Sequence, residues 1–145
     1  MATDWALYHQ AGQSWTRLGW EQVGRVDWDA QRHVLILTSL TPAVPAPTVL
    51  RLASDCDLPA VAAERVTWAK LVDLRVSLGG DARARVVAQR RPGDEPVKWL
   101  VILGSGLDPG DPAIRAELKS ALAELQAATG AGDAAGFGPG IVPPW

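Results

Sequence analysis

From Val72 to Leu78 apolar and polar residues alternate without a break, and the three residues that follow are Gly79-Gly80-Asp81. A period of two puts Val72, Leu74, Val76 and Leu78 on one side of a strand and Asp73, Arg75 and Ser77 on the other. Two glycines then supply the positive φ of a tight connection. Pairing outward from a three-residue loop sets Val76 opposite Ala84, Leu74 opposite Val86 and Arg75 opposite Arg85. The apolar positions of both strands then share one face, so the register is fixed by burial as well as by the turn. A chain holding this hairpin must build an antiparallel sheet around it.

The rest of the first two-thirds also reads mostly as strands. Trp5–Gln10 and Trp15–Leu18 flank a Gly-containing connection, Ala11-Gly12-Gln13. Val23–Trp28 follows a turn at Gly19–Glu21, and His33–Thr38 is a short apolar, β-branched run. Pro42, Pro45 and Pro47 remove donors from 41–48, which is expected as a loop before a strand at Val49–Ala53. Asp57-Leu58-Pro59 opens a brief helix expected to end near Val66. Val97–Leu103 is apolar on both faces, as a central strand would be.

The last regular element is a helix. Asp111 caps it, Pro112 takes its first position and Gly130 stops it. Ile114, Leu118, Ala121, Leu122, Leu125 and Ala128 form its apolar stripe. The expected fold is therefore α+β: a strongly twisted antiparallel sheet or split barrel, closed by one C-terminal amphipathic helix, with a short helix inserted near 57–66. One domain is expected over 1–130, followed by a flexible Gly/Ala/Pro-rich tail over 131–145.

Composition excludes more than it identifies. With 145 residues and a formal charge of −2, there is volume for a real core but no field to hold a polyanion, so no nucleic acid is expected. One cysteine, Cys56, permits no internal disulfide. The N-terminus lacks the pattern of a signal peptide, and no apolar run has membrane-spanning length, so a cytoplasmic location is expected.

Catalytic groups are scarce. His9 and His33 fall in expected strands without a second histidine or cysteine at ligand spacing, and no metal or cofactor is expected. A thiolate at Cys56 would sit between Asp55 and Asp57, an environment that disfavours a nucleophile. Gly104-Ser105-Gly106 lacks the flanking pattern of a nucleophile elbow. Asp108-Pro109-Gly110-Asp111 is explained in full by a turn and a helix cap. The chain is not expected to be an enzyme.

Two features remain as binding candidates. Arg75, Arg83 and Arg85 share the outward face of the hairpin, where like charges directly opposite need an offset: Asp73, solvent, or an anionic partner. The other feature is tryptophan. Seven are present, most in or beside expected strands, where sheet and core packing is favoured over an aromatic binding surface; Trp145, in Pro143-Pro144-Trp145, is either a short docking motif or without a role.

The strands followed by a C-terminal helix, with Asp4-Trp5-Ala6-Leu7-Tyr8-His9 and Trp20–Trp28, resemble the bacterial pleckstrin-homology-like family. Residues 3–130 are also similar to a group of uncharacterised actinobacterial proteins, through Leu18-Gly19-Trp20-Glu21, Glu64-Arg65-Val66 and Gly106-Leu107-Asp108-Pro109. The resemblance implies a scaffold for binding proteins, lipids or its own copies. A phosphoinositide site of that family needs basic residues in the first hairpin, and Ala11-Gly12-Gln13-Ser14 has none. The chain starts abruptly at the first recognised strand, which leaves room for an earlier strand, missing or supplied by a partner. The leading expectation is a non-enzymatic protein-interaction module whose partner is another protein or a second copy. Binding of anionic membranes through Arg75, Arg83 and Arg85 ranks second. A carrier or enzyme with a pocket beneath Ile114, Leu118 and Leu122 ranks last.

Overall fold

The computed structural model describes residues 1–40, 46–54, 56–90 and 97–130, and the backbone of 140–142. The chain divides into two compact units, Met1–Ala69 and Lys70–Trp145.

The first unit begins with a hairpin of β1 (Ala6–Ala11) and β2 (Ser14–Gly19), in register from Ala6 opposite Gly19 to Ala11 opposite Ser14. Gly12, at φ 65°, makes the reversal with Gln13. One 3-10 turn, Trp20–Gln22, leads into a separate antiparallel meander of β3 (Val23–Asp29), β4 (Val34–Ser39) and β5 (Thr48–Arg51). Between β3 and β4 the Asp29 carboxylate accepts the N–H groups of Gln31 and Arg32, each at 3.0 Å. Helix α1 (Leu58–Ala69) closes the unit and buries Ala62, Val66 and Ala69. These small residues pack with Leu7, Val23, Leu35, Leu37 and Trp20, whose indole N–H donates to the Thr3 carbonyl at 2.9 Å.

The second unit is a four-stranded sheet, ordered β6 (Lys70–Ser77), β7 (Arg83–Gln89), β8 (Lys98–Leu103) and β9 (Gly140–Val142), with helix α2 (Pro112–Thr129) between the last two strands in sequence. Val76 pairs with Ala84, Leu74 with Val86 and Arg75 with Arg85, the register that the alternation dictated. Gly79 and Gly80 take φ of 88° and 53° in the connection. The Asp111 carboxylate accepts the Ala113 N–H at 2.8 Å, Pro112 follows, and Gly130 ends α2 in the left-handed region at φ 63°. Leu118 and Leu122 pack into a core of Val72, Leu78, Ala84, Val86, Ala88, Trp99, Val101 and Leu103.

The class is α+β with a C-terminal helix, as expected, but the single twisted sheet or split barrel is corrected. Among the described residues there are three sheets, and none closes. The periodicity marked where strands run and not which strands share hydrogen bonds, and the turn at Trp20–Gln22 separates β2 from β3. Four local readings also change. His33 is not in a strand but ends the β3–β4 connection at φ 51°. The inserted helix continues past Val66 to Ala69, because the Ala62, Val66, Ala69 stripe keeps its buried face for another turn. Leu74 shares a face with Val72 and Val76 yet is 49% exposed, since β6 is the sheet's edge. Within the segment expected as a tail, Gly140–Val142 pairs in parallel with Leu100–Ile102; the remainder of 131–145 lies outside the described residues, as does most of the proline-rich loop.

Candidate anion-binding groove

The face of the second sheet opposite α2 carries Arg75, Arg83 and Arg85, three residues that strand register alone brings together. Cross-strand pairing aligns Arg75, Arg85 and Ile102 in one row, and Ser77 with Arg83 in the next. A groove of about 320 Å³ opens over these rows, lined by Arg75, Arg83, Ala84, Arg85, Ile102, Leu103 and Gly104. Gly104 donates its N–H to the Arg83 carbonyl at 2.8 Å, and a Cβ at Gly104 would stand 2.8 Å from that same oxygen. The end of the groove is therefore formed by two backbones too close for a side chain.

The three guanidiniums are held differently. Arg85 donates twice to the Asp73 carboxylate, at 2.7 Å from both Nε and Nη2, the fork geometry of a strong pair. Arg83 reaches back through Nη1 to Ser77 Oγ and to the carbonyls of Gly80 and Ala82, each at 3.0 Å, and meets no carboxylate among the described residues. Among the described residues the Arg75 side chain makes no ion pair and no hydrogen bond. Lys70 approaches Asp73 at 3.6 Å. On this face of β6 and β7, Asp73 pairs with two cations, Arg85 and Lys70, while Arg75 and Arg83 stand nearby.

The Asp73, Arg85 and Lys70 cluster shifts the proton affinities of its own members. Hydrogen bonding from Arg85 holds the Asp73 carboxyl below the usual carboxylate range, and the same bond raises Arg85. Lys70 moves down although a carboxylate is beside it, because burial of its ammonium outweighs Asp73 and Arg85 repels it further. Asp73 is thus shared between two cations and stays charged. Asp73 is the offset expected for Arg85, and Arg75 and Arg83 lie beyond it.

The other sequence candidates are scattered. Trp20 and Trp99 are buried, Trp5 meets Trp68 edge-on at 5.1 Å, and Trp15 is 68% exposed on β2. Trp145 lies outside the described residues. The Asp108–Asp111 run makes the expected turn, its Asp108 carboxylate accepting the Gly110 N–H at 2.7 Å. Among the described residues no group of three or more His, Cys, Asp or Glu could hold a metal ion, and no helix is long and apolar enough to cross a membrane. The space beneath the helix stripe holds packed Leu118 and Leu122 side chains.

Sequence reasoning found the arginines and missed the walls, Ile102 and Gly104. The available signal was the glycine placed directly after an apolar strand, which marks a close backbone approach. No family model, curated protein or solved structure matches the chain.

Proposed function

We propose that this protein is a non-enzymatic interaction module that takes an anionic side chain of a protein partner in the arginine groove. One observation carries the reading: Arg75 and Arg83 stand at a groove of about 320 Å³ with no carboxylate partner of their own among the described residues. An acidic or phosphorylated side chain fits that vacancy, because guanidinium forks bind carboxylate and phosphate oxygens in pairs. The likeness to the pleckstrin-homology-like family supports the same class of use, binding rather than catalysis; it supports no site, since function lives in residues and not in folds.

The lipid reading loses ground on geometry. It needs exposed aromatics beside the arginines, and Trp99, the tryptophan described in this unit, is buried in the core under α2. The test is a titration with labelled peptides carrying adjacent glutamates or one phosphoserine, against the intact chain and Arg83→Glu. The intact chain binds and salt weakens the binding, while Arg83→Glu binds at least tenfold less tightly. Equal affinity for the two proteins rejects the groove. Preferential retention on anionic vesicles moves the assignment to a membrane surface.

A further inference from the structure

We propose that β6 is a self-association edge, on which two copies of this chain pair antiparallel about Leu74 to make one continuous sheet. The first ground is the free edge. Among the described residues β6 ends its sheet and pairs with β7 alone. Leu78 donates its N–H inward to Ala82 at 3.0 Å. The alternation of an antiparallel ladder then turns the N–H and C=O groups of Ser77, Arg75 and Asp73 outward, where they form a template for another strand.

The second ground is that this edge carries an uncovered apolar residue at its middle. Leu74 is 49% exposed and stands outside the core formed by Val72, Leu78 and their neighbours. The monomer leaves about half of this leucine in water; a second strand alongside would cover it.

The third ground selects the occupant. Asp73-Leu74-Arg75 is complementary to itself when reversed. A two-fold axis at Leu74 sets Asp73 opposite the second copy's Arg75 twice, Leu74 opposite its own copy and Val72 opposite Val76. Shifting the axis to Arg75 would stack arginine on arginine, and shifting it to Asp73 would stack aspartate on aspartate. An axis between residues would join the α2 face of one sheet to the arginine face of the other. Leu74 is thus the centre that satisfies both charge and face. The pairing also brings the second copy's Asp73 toward Arg75, which makes no ion pair among the described residues, and offsets the Arg75–Arg85 repulsion across the β6–β7 ladder, leaving Arg83 as the groove's free cation in the dimer. Edge charges commonly guard a strand against pairing; here their order favours pairing with a copy of itself.

Sedimentation velocity across a concentration series tests the proposal. The intact chain shifts toward dimer with concentration. Arg75→Asp and Asp73→Arg each place like charges opposite one another and weaken the dimer by roughly tenfold or more. Mixed together, the two variants become complementary and form a heterodimer. Asp73→Arg removes an internal partner of Arg85, so two further variants stand apart from folding. Leu74→Lys, at a half-exposed position, is monomeric with an unchanged circular dichroism spectrum. Leu74→Cys in a Cys56→Ser background forms a disulfide dimer under mild oxidation, because facing residues of a non-hydrogen-bonded pair stand close enough. An intact chain that stays monomeric at every concentration overturns the proposal, and so does a dimer unmoved by Leu74→Lys. Arg83→Glu leaves dimerisation unchanged, so failure of the groove and failure of this edge are told apart.

Discussion

Both units contain three antiparallel strands followed by a helix, β3-β4-β5-α1 in one and β6-β7-β8-α2 in the other, and they fill that plan differently. Helix α1 turns alanine and valine to its core, so the bulk must come from elsewhere, and it comes from Trp20, 1% exposed. Helix α2 brings Leu118 and Leu122 to a sheet face of branched residues and Trp99, 6% exposed. Each core holds one buried tryptophan, but only in the second are buried leucines supplied by the helix. A close-packed interior tolerates loss poorly where one residue fills the space.

The largest expected effect follows from that. Trp20→Ala should destabilise by about 3–5 kcal/mol, through the cavity and through the Thr3 carbonyl left without its donor. Leu118→Ala should fall lower, about 2–3 kcal/mol, because Leu122, Ile114 and Leu125 can close part of the gap. Urea denaturation measures both, and amide exchange locates them: the first in β3 and β4, the second in β7 and β8. A larger loss from Leu118→Ala would show that the leucines of α2, rather than a buried ring, carry the greater share of core stability.

Charge separates the units in the same way, at a smaller scale. In the first, Asp4 is 73% exposed where it meets Arg65 at 3.0 Å, and Asp4→Asn should leave stability almost unchanged. In the second, Asp73 is held by Arg85 below the usual carboxylate range. A depressed folded value means the contribution is whole above the unfolded pKa, about 3.9, and is lost as pH falls through the folded one. With Asp73 about one-third exposed, solvent screening limits it to about 0.5–1 kcal/mol. The stability gap between the intact chain and Asp73→Asn should therefore shrink from about pH 5 to about pH 2. A gap that is constant across that range would show that the carboxylate's charge adds nothing beyond its hydrogen bonds.

The two units were also unequally legible in the sequence. The β6–β7 register, the Arg75–Arg85 pairing and both ends of α2 followed from alternation, two glycines, an aspartate cap and a terminal glycine, all local signals with one structural solution. The division into three sheets was not legible, because alternation reports which side chains are buried and not which strand lies alongside. The groove was half legible. Three arginines on one face come from a period of two, whereas Ile102 and Gly104 join them only through β7–β8 pairing at a distance in sequence. The exposure of Leu74 was hidden for the same reason: its face was readable, its position at an edge was not.

The connections between the first two strands of each meander give the finest contrast, and the smallest expected effect. In the second unit the left-handed positions are Gly79 and Gly80; in the first, His33 takes φ 51° with a Cβ in place. A non-glycine residue there costs on the order of 1 kcal/mol. His33 also buries an Nδ1 without a hydrogen-bond partner while its ring leans on Trp28 at 6.1 Å. Asparagine tolerates the left-handed region and removes the orphaned nitrogen, so His33→Asn should stabilise by about 0.5 kcal/mol. His33→Gly relieves more strain but frees the unfolded chain and gives up the ring contact, and should come out near zero. The reciprocal change, Gly80→His, should destabilise by about 1 kcal/mol, since the second unit has no ring waiting at that position to offset the strain. Urea midpoints at constant slope measure all three. If His33→Asn destabilises by as much as Gly80→His, the packing of His33 on Trp28 outweighs the backbone, and the first connection is held by its side chains where the second is held by its glycines.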